Sequence, residues 1–315
     1  MSRVIAVTGA SGYLGQRLIP YLFQSSSDID HFVAIDIRET SLLSEIPLSS
    51  YKIDVRDEFS SVLEENGVTD LIHLAWIVNP IHNKEKAFQV DIQGTENTLK
   101  QASQASIDYF LHVSSTLAYG AFPDNPYPLT ESSPLQGNET FHYSYHKALA
   151  ERIVNEFRED FVNNMKIGTI RPSAILSHDL QNFVADILRG GWRTFFLMPF
   201  PNKKTPIQFL HLEDALQGFK IMLDQRLEGV YNVTPNKDVT IGEIPKILEG
   251  RGLRVPLRIL KSLLWVQWKL RLSRAPPSYL DFVAYPFVAS NYKIKSKGYS
   301  PRYSTIETLR SFQNK

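Results

Sequence analysis

The sequence VIAVTGASGYLG runs from Val4 to Gly15 and joins three local patterns. Val4–Val7 is a short apolar run of the kind that forms a buried parallel strand. Glycines follow at positions 9, 12 and 15, and a helical pattern begins at Tyr13. Glycines permit a tight turn, and the free N–H groups of a helix N-terminus attract an anion. We therefore expect this loop to hold a pyrophosphate through Gly9, Ser11, Gly12, Tyr13, Leu14 and Gly15.

An acidic residue stands at the place where a dinucleotide-binding unit needs one. Asp36 closes the second apolar run, 21 residues after Gly15. A carboxylate there accepts hydrogen bonds from the adenosine ribose hydroxyls. Because it would repel a 2′-phosphate, we expect NAD as the cofactor, with NADP less favoured. Arg38 keeps NADP as the alternative.

Short apolar runs alternate with helical segments through the first half of the chain. The predicted strands are Val4–Val7, Phe32–Ile35, Tyr51–Val55, Leu71–Leu74, Phe110–Val113 and Ile167–Ile170. The predicted helices are Tyr13–Phe23, Phe59–Glu65, Lys86–Ser103 and Phe141–Phe161. Such alternation predicts an α/β fold with a doubly wound parallel sheet of the Rossmann type.

A smaller, mainly helical cap is predicted beside this sheet. We assign residues 1–172 and 206–235 to the cofactor-binding domain, and residues 173–205 and 236–315 to the cap. Glycine and proline punctuate Ser173–Thr205, which we expect to be an irregular excursion. Core-like segments return at Ile207–Leu210, Glu213–Leu223 and Gly229–Val233, and the pattern is mainly helical from Thr240 onward.

Composition excludes several classes of function. The 315 residues are 43% hydrophobic and 21% charged, which is typical of a globular protein. With 34 Lys plus Arg against 33 Asp plus Glu, the formal net charge of +1 provides no general attraction to nucleic acid or anionic lipid, and no nucleic-acid partner is expected. The chain has no Cys, so thiolate metal sites, disulfides and cysteine nucleophiles are excluded. No run approaches the roughly 18 apolar residues of a membrane span, and the N-terminus has no signal-peptide pattern, which predicts a cytoplasmic protein.

Candidate catalytic residues follow the fifth predicted strand. Tyr143 and Lys147 lie four residues apart in a helical segment, so they share one helix face. A tyrosine is a base at neutral pH only when positive charge stabilises its phenolate, and Lys147 supplies that charge. Ser115 would hydrogen-bond the same substrate oxygen. About 0.8 such Tyr-Lys pairs are expected by chance in a sequence of this composition. The catalytic interpretation therefore rests on the order of the motifs and not on the pair alone.

That order of motifs resembles the extended short-chain dehydrogenase/reductases, the NAD-dependent epimerase/dehydratase family. The resemblance covers residues 3 to 235, and the ending Gly298–Arg302 is also similar. It rests on Thr8–Gly15, Asp54–Asp57, His73–Ala75, Gly94–Asn97, Val113–Ser115 with Tyr119-Gly120, Tyr143 and Lys147, Arg171-Pro172, and Phe209–Asp214.

The resemblance implies roles for further residues. Asp54 and Val55 would contact the adenine, and Leu74 and Ala75 would line the cofactor channel. Pro172 would lie beside the nicotinamide, while Tyr143 and Lys147 would serve both catalysis and cofactor binding. It also implies a homodimer, formed through the helices around Lys86–Ser103 and Tyr143–Phe161.

Three departures separate this chain from the family pattern. Asp91 replaces the usual Asn, and Trp76 stands where a small residue is common. Ala174 replaces the Asn that nucleotide-sugar enzymes usually carry after Arg-Pro, which weakens the assignment of a sugar nucleotide as substrate.

Three other features each have two interpretations. Residues 251–274 carry seven cations and no acid, interleaved with Leu263, Leu264, Trp265 and Trp268, which predicts a basic amphipathic helix. It either faces solvent or contacts a substrate, partner or membrane. The cap aromatics would wall a substrate pocket or pack the cap: Trp192, Phe195, Phe196 and Phe200. His142, His146, His178 and Asp179 lack metal-ligand spacing, so no metal is expected, and His211 is expected to end a strand.

The sequence thus predicts an NAD(P)-dependent oxidoreductase or epimerase acting on a small molecule. Tyr143 would take the proton of a secondary alcohol, Lys147 would stabilise the phenolate and Ser115 would orient the substrate oxygen, with hydride moving to or from the nicotinamide. The alternatives are a nucleotide-sugar 4-epimerase or dehydratase, and a non-catalytic protein that senses NAD.

Overall fold

A computed structural model describes residues 3–40, 45–160, 165–193, 195–200, 204–273 and 276–313 of the chain. It describes no side chains at residues 160, 183, 190–200 and 251–254. The strands are β1 (Arg3–Thr8), β2 (Ile29–Asp36), β3 (Leu48–Lys52), β4 (Asp70–His73), β5 (Tyr109–Val113), β6 (Lys166–Pro172), β7 (Ala174–Leu176), β8 (Phe195–Phe200), β9 (Pro206–Ile207), β10 (Phe209–His211), β11 (Gly229–Val233), β12 (Val239–Thr240) and β13 (Arg251–Pro256).

Helices follow most of the strands. They are α1 (Gly15–Ser25), α2 (Ser60–Glu65), α3 (Lys84–Phe88), α4 (Gly94–Gln104), α5 (His142–Asp160), α6 (Phe183–Arg193), α7 (Leu212–Asp224), α8 (Ile244–Ile247), α9 (Leu257–Lys269), α10 (Asp281–Ala284), α11 (Tyr292–Lys295) and α12 (Thr305–Gln313). Among the described helices, none combines the length and apolarity needed to cross a membrane.

Seven strands form one sheet in the order β11-β6-β5-β4-β1-β2-β3, and every pairing in it is parallel. The chain runs outward from β1 to β3 and then returns to place β4 on the other side of β1. This reversal opens a crevice at the carboxyl ends of β1 and β4, where doubly wound sheets bind their ligands. The predicted doubly wound α/β fold is confirmed.

Alternating strand residues build a hydrophobic layer on each face of the sheet. Ile5 and Val7 of β1 pack with buried residues of α1 and α7 on one face. Ala6 packs on the other face with residues of α2, α4 and α5. Because side chains alternate along a strand and both faces are covered by helices, the central strands β1, β4 and β5 are mainly buried, whereas the edge strand β3 is not.

Residues 173–205 are more regular than the sequence predicted. The expectation of an irregular excursion is wrong, because this segment contains β7, α6 and β8. β7 pairs with β10, and β8 pairs in parallel with β13, which lies about fifty residues further along the chain. These partners are distant in sequence, so the local glycine and proline pattern did not reveal them.

The basic segment 251–274 is likewise only partly helical. β13 occupies Arg251–Pro256, and α9 begins immediately after Pro256. The prediction of a helix is therefore wrong for the first six residues, which extend because they pair with β8. It is confirmed for Leu257–Lys269.

The predicted helix over Lys86–Ser103 is interrupted by a wider turn. α3 continues through a π-helical turn at Gln89–Gln93 into α4. Asp91 lies fully buried in that turn. Such turns insert one extra residue into a helix and frequently occur at functional sites.

Candidate functional site

A cavity of about 820 Å³ follows the carboxyl edge of the sheet and extends toward the cap. It brings together all but one of the predicted site residues. Those that line it are Gly9, Gly12, Tyr13, Leu14, Gly15, Asp36, Asp54, Val55, Leu74, Ala75, Ser115, Tyr143, Lys147 and Pro172. Ser11 is the exception. Its hydroxyl turns away from the cavity and donates to the carbonyl oxygens of Arg38 and Glu39.

The glycine loop packs directly against the end of β4. Gly9 has a φ of +71°, and a Cβ atom there would lie 2.6 Å from the backbone nitrogen of Ala75. A Cβ atom at Gly15 would lie 2.5 Å from the carbonyl oxygen of Ala10. Real side chains do not tolerate such distances, so glycine is required for the close approach of the backbone segments. The result is a compact cradle of main-chain atoms at the start of α1.

Asp36 stands at the end of β2 with both carboxylate oxygens engaged. The N–H of Ser11 donates to Oδ2 and the N–H of Arg38 donates to Oδ1, each at 3.0 Å. The Arg38 guanidinium donates back to the carbonyl oxygen of Ser11 at 3.1 Å. These bonds fix the acidic strand end to the glycine loop.

Asp54 and Val55 follow β3 at the far end of the cavity. The Arg56 guanidinium donates to both oxygens of Asp54, at 2.9 and 2.6 Å, and holds the pKa of that carboxyl below its usual range. Val55 packs against Gly94, where a Cβ atom would lie 2.8 Å from the valine Cγ2. Gly94 thus lets α4 approach this wall of the cavity closely.

Ser115, Tyr143 and Lys147 meet where β5, β6 and α5 converge. The Ser115 hydroxyl accepts from the N–H of Leu117 at 3.2 Å, and the Lys147 ammonium donates to the carbonyl oxygen of Val113 at 2.7 Å. Burial raises the pKa of Tyr143 to about 12, although the Ser115 hydroxyl opposes this shift. Burial also lowers the pKa of Lys147 to about 7, against the attraction of nearby carboxylates. Desolvation thus favours the neutral form of both groups.

Trp76 closes one side of this group. The Lys147 Nζ lies 3.3 Å from the centre of the indole ring, and the Tyr143 ring meets the indole edge-on at 6.3 Å. The indole N–H is buried and has no hydrogen-bond partner among the described residues. The sequence marked Trp76 only as a departure from a small residue. The structure makes it a wall of the cavity beside the lysine.

Two buried polar pairs lie beside Tyr143 and Lys147. Asp91 Oδ2 lies 2.9 Å from Nδ1 of His146, and its Oδ1 accepts from the N–H of Ile77 at 2.9 Å. Arg171 donates to both oxygens of Glu151, which lies one helical turn after Lys147. Glu151 is a neighbour of the candidate site that the sequence did not single out, although its spacing of four residues from Lys147 would have indicated it.

Two of the four residues considered for a metal, His146 and Asp179, are engaged elsewhere. Asp179 pairs with Arg17, and the phenol of Tyr13 bonds both Ser177 and Asp179. His211 ends β10, and its Nδ1 accepts from the N–H of Glu213 at the start of α7. Within the described part of the chain, no three His, Asp or Glu residues are grouped to hold a metal ion. The side chains of Trp192, Phe195, Phe196 and Phe200 lie outside the described residues, so their predicted role stays open.

Comparisons with known proteins agree with these observations. A model of the family described as NAD dependent epimerase/dehydratase matches residues 5–234. 3 beta-hydroxysteroid dehydrogenase type 7 of Mus musculus is 25% identical over 62% of this chain, and the chain spans 57% of that protein. 3 beta-hydroxysteroid dehydrogenase/Delta 5-->4-isomerase of Mycobacterium tuberculosis is 23% identical over 97% of this chain and 88% of its own length. MoeE5 in complex with UDP-glucuronic acid and NAD has the same fold, with a TM-score of 0.75, 18% identity and coverage of 98% of this chain and 96% of MoeE5.

Proposed function

The chain belongs to the NAD-dependent epimerase/dehydratase family and is therefore an enzyme, and on that premise we propose that it interconverts a secondary alcohol and a ketone with NAD. The observation that carries this proposal is the shared cavity. Tyr143, Lys147 and Ser115 line the same 820 Å³ space as the glycine loop and Asp36. A base and a dinucleotide cradle in one cavity are what hydride transfer requires.

The residues present fit a bound NAD. The cradle at Gly9, Gly12 and Gly15 has no room for side chains and is suited to a pyrophosphate at the N-terminus of α1. The buried carboxylate of Asp36 lines the cavity and would accept the ribose hydroxyls, which favours NAD over NADP. Along the cavity we place Asp54 and Val55 at the adenine, Lys147 at the second ribose, and Leu74, Ala75 and Pro172 along the channel. When bound, NAD supplies the acceptor or donor of the hydride.

The protein's own residues perform the proton transfer. Tyr143 takes the proton of the substrate hydroxyl, and Ser115 holds the same oxygen by a hydrogen bond. Lys147 stabilises the phenolate, because each opposite charge favours the ionised form of the other. In the reverse direction the Tyr143 hydroxyl returns its proton to the oxygen of the reduced ketone.

The cap side of the cavity favours an alcohol or ketone on an apolar skeleton. Among the described residues that line the whole cavity, the cations are Arg38, Arg56, Lys86 and Lys147. The first three lie toward Asp36 and Asp54, and Lys147 is the catalytic lysine. The wall beyond Lys147 carries Val184, Ile207, Phe209, Tyr279, Phe282 and Phe287. A nucleotide sugar carries a diphosphate that this wall does not neutralise. The hydroxysteroid dehydrogenases among the relatives support the same class of substrate.

A second candidate function is a nucleotide-sugar 4-epimerase or dehydratase. It is favoured by the fold of MoeE5, which matches nearly the whole chain in complex with UDP-glucuronic acid and NAD. Ala174 weighs against this candidate, because it lines the cavity at the position where the family pattern of nucleotide-sugar enzymes has an Asn. A third candidate, a non-catalytic NAD sensor, is disfavoured because Ser115, Tyr143 and Lys147 are all present in the same cavity.

We also propose the division of labour predicted from the sequence. Residues 1–172 and 206–235 would bind the cofactor, and residues 173–205 and 236–315 would shape the substrate site. β9 and β10 pair with β12 and β7 rather than with the large sheet, so residues 206–211 lie at the border between the two parts. A cytoplasmic location, and a homodimer formed through α4 and α5, complete the proposal.

Replacing one oxygen atom tests the mechanism. Tyr143→Phe should reduce kcat about 10²- to 10⁴-fold, because the proton acceptor is lost. NAD affinity, measured by calorimetry, should change less than about twofold. The substrate is chosen by screening 3β-hydroxysteroids and UDP-sugars for NADH formation or epimerisation. Tyr145→Phe, two residues along the same helix and outside the cavity lining, is the matched control. Full turnover by Tyr143→Phe would refute the mechanism.

A further inference from the structure

α9 carries an apolar stripe that faces away from the protein. Ile259, Leu263, Val266 and Leu270 are 51%, 53%, 47% and 63% exposed. Their spacing of four, three and four residues places all four on one side of the helix. Large apolar side chains aligned in this way, rather than scattered singly, mark an interaction surface.

The opposite side of α9 is already packed on the protein. Leu260 is buried, and the Trp268 indole stacks on the imidazole of His82 at 3.9 Å. The Lys261 ammonium donates to Asp281 at 2.6 Å. The helix is therefore seated by one face, and the exposed stripe is a second apolar face without a role in the fold.

Positive charge flanks the stripe on one side. Residues 251–274 contain seven cations and no acid, within a chain whose net charge is only +1. Arg258 and Lys269 are exposed on the flank of the stripe, together with Trp265, which is 54% exposed. The Lys269 Nζ lies 5.5 Å from the centre of the Trp265 ring. Cations and tryptophan beside an apolar stripe are the composition of a helix that lies in a lipid interface.

We propose that α9 docks this enzyme on the surface of an anionic lipid bilayer. Ile259, Leu263, Val266 and Leu270 enter the boundary between headgroups and acyl chains, and Arg258 and Lys269 contact the anionic headgroups. A second copy of the chain fits less well, because two such faces would bring like charges together without an acid to neutralise them.

The docked helix packs against residues that adjoin the cavity lining. His82, on which Trp268 stacks, directly follows Ile81, and Ile77, Val78 and Ile81 line the cavity. Asp281, which binds Lys261, lies between Tyr279 and Phe282 of the apolar wall. This placement lets an apolar alcohol or ketone enter the site from the bilayer in which it dissolves. That step rests on the proposed function.

Vesicle binding tests the proposal without any turnover. The full chain is floated with vesicles of phosphatidylglycerol and phosphatidylcholine, or of phosphatidylcholine alone. We expect partitioning at least tenfold stronger on the anionic vesicles, weakening as salt screens the charges. Leu263→Glu with Val266→Glu, and separately Arg258→Glu with Lys269→Glu, should each reduce partitioning at least tenfold. Ile306→Glu, at an exposed apolar position on α12, is the control and should leave it unchanged.

The outcomes separate docking from catalysis. Equal partitioning of the wild type and the Leu263→Glu, Val266→Glu variant would overturn the proposal. So would a lipid-free dimer, detected by sedimentation, that this variant dissociates. Loss of docking in a variant that still binds NAD would leave the proposed chemistry intact. Docking by a protein that turns over no substrate would reject that chemistry alone.

Discussion

At the scale of single residues, Lys147 is the group whose chemistry depends most on its surroundings. The sequence predicted its place beside Tyr143 from a four-residue spacing. It did not predict the Trp76 ring 3.3 Å from its ammonium, or the burial that lowers its pKa to about 7. Such effects arise from residues that are distant in the chain, so a local pattern cannot contain them.

This burial makes a pH-dependent contribution to stability. Between pH 7 and the unfolded value of 10.5, the unfolded chain holds a proton on Lys147 that the folded chain has lost. Wild-type stability therefore rises with pH across that interval. Lys147→Met should be more stable than wild type by on the order of a few kcal/mol at pH 7 and below, and the advantage should vanish near pH 10.5.

Urea unfolding at several pH values measures this difference. Lys166→Met removes a lysine that is largely exposed and should show no such dependence on pH. A difference between Lys147→Met and wild type that stayed constant from pH 7 to pH 10 would contradict the burial of an ionisable lysine.

At the scale of elements, the turn from β1 into α1 depends on the approach of Gly9 to β4. Gly9 and Gly67 both have positive φ, at +71° and +61°, but of the two only Gly9 has neighbours within 4 Å of the point that a Cβ atom would occupy. Gly67→Ala should cost only the strain of the left-handed backbone, about 1 kcal/mol. Gly9→Ala should cost at least about 2 kcal/mol more, because the backbone of Ala75 must move.

The Gly9→Ala and Gly67→Ala variants are compared with the wild type by their denaturant midpoints and their affinities for NAD. Gly9→Ala should also weaken NAD binding at least about tenfold, through displacement of the cradle. Gly67→Ala, whose loop is remote from the cavity lining, should bind NAD as the wild type does. Equal loss of stability in the two variants would show that the contact with Ala75 is unimportant.

Elements formed by neighbouring residues were predictable, and those formed by distant partners were not. The strand at Gly229–Val233 matches a predicted core-like segment residue for residue, because its apolar character is local. β8 and β13 were missed, because each is extended only through pairing with the other. The cofactor side of the site followed from motifs along the chain, whereas the cap wall is assembled from residues spread between Val184 and Phe287.

At the scale of the whole molecule, ligand binding should stabilise the fold selectively. A ligand that binds only the folded state adds about 2.7 kcal/mol at a hundredfold excess over its Kd. NAD should therefore raise Tm by several degrees. UDP and dTDP should leave Tm unchanged, because the described cap wall offers no cation for a diphosphate.

Thermal unfolding with each compound checks this expectation, with AMP as the control for binding of the adenosine portion alone. A rise in Tm with UDP or dTDP would indicate that the substrate is a nucleotide sugar. No rise with NAD would contradict the proposed cofactor.

The helix α5 places Tyr143, Lys147 and Glu151 four residues apart, and Arg171 of β6 holds the last of them. This arrangement constrains how the gene can change over evolutionary time. Inserting or deleting one codon between Tyr143 and Glu151 would turn part of the row by about 100° around the helix. Point substitutions on the outer face of α5 leave Tyr143, Lys147 and Glu151 aligned, but changes of length within these two turns do not. Length variation among descendants should therefore accumulate in the connections before and after the helix.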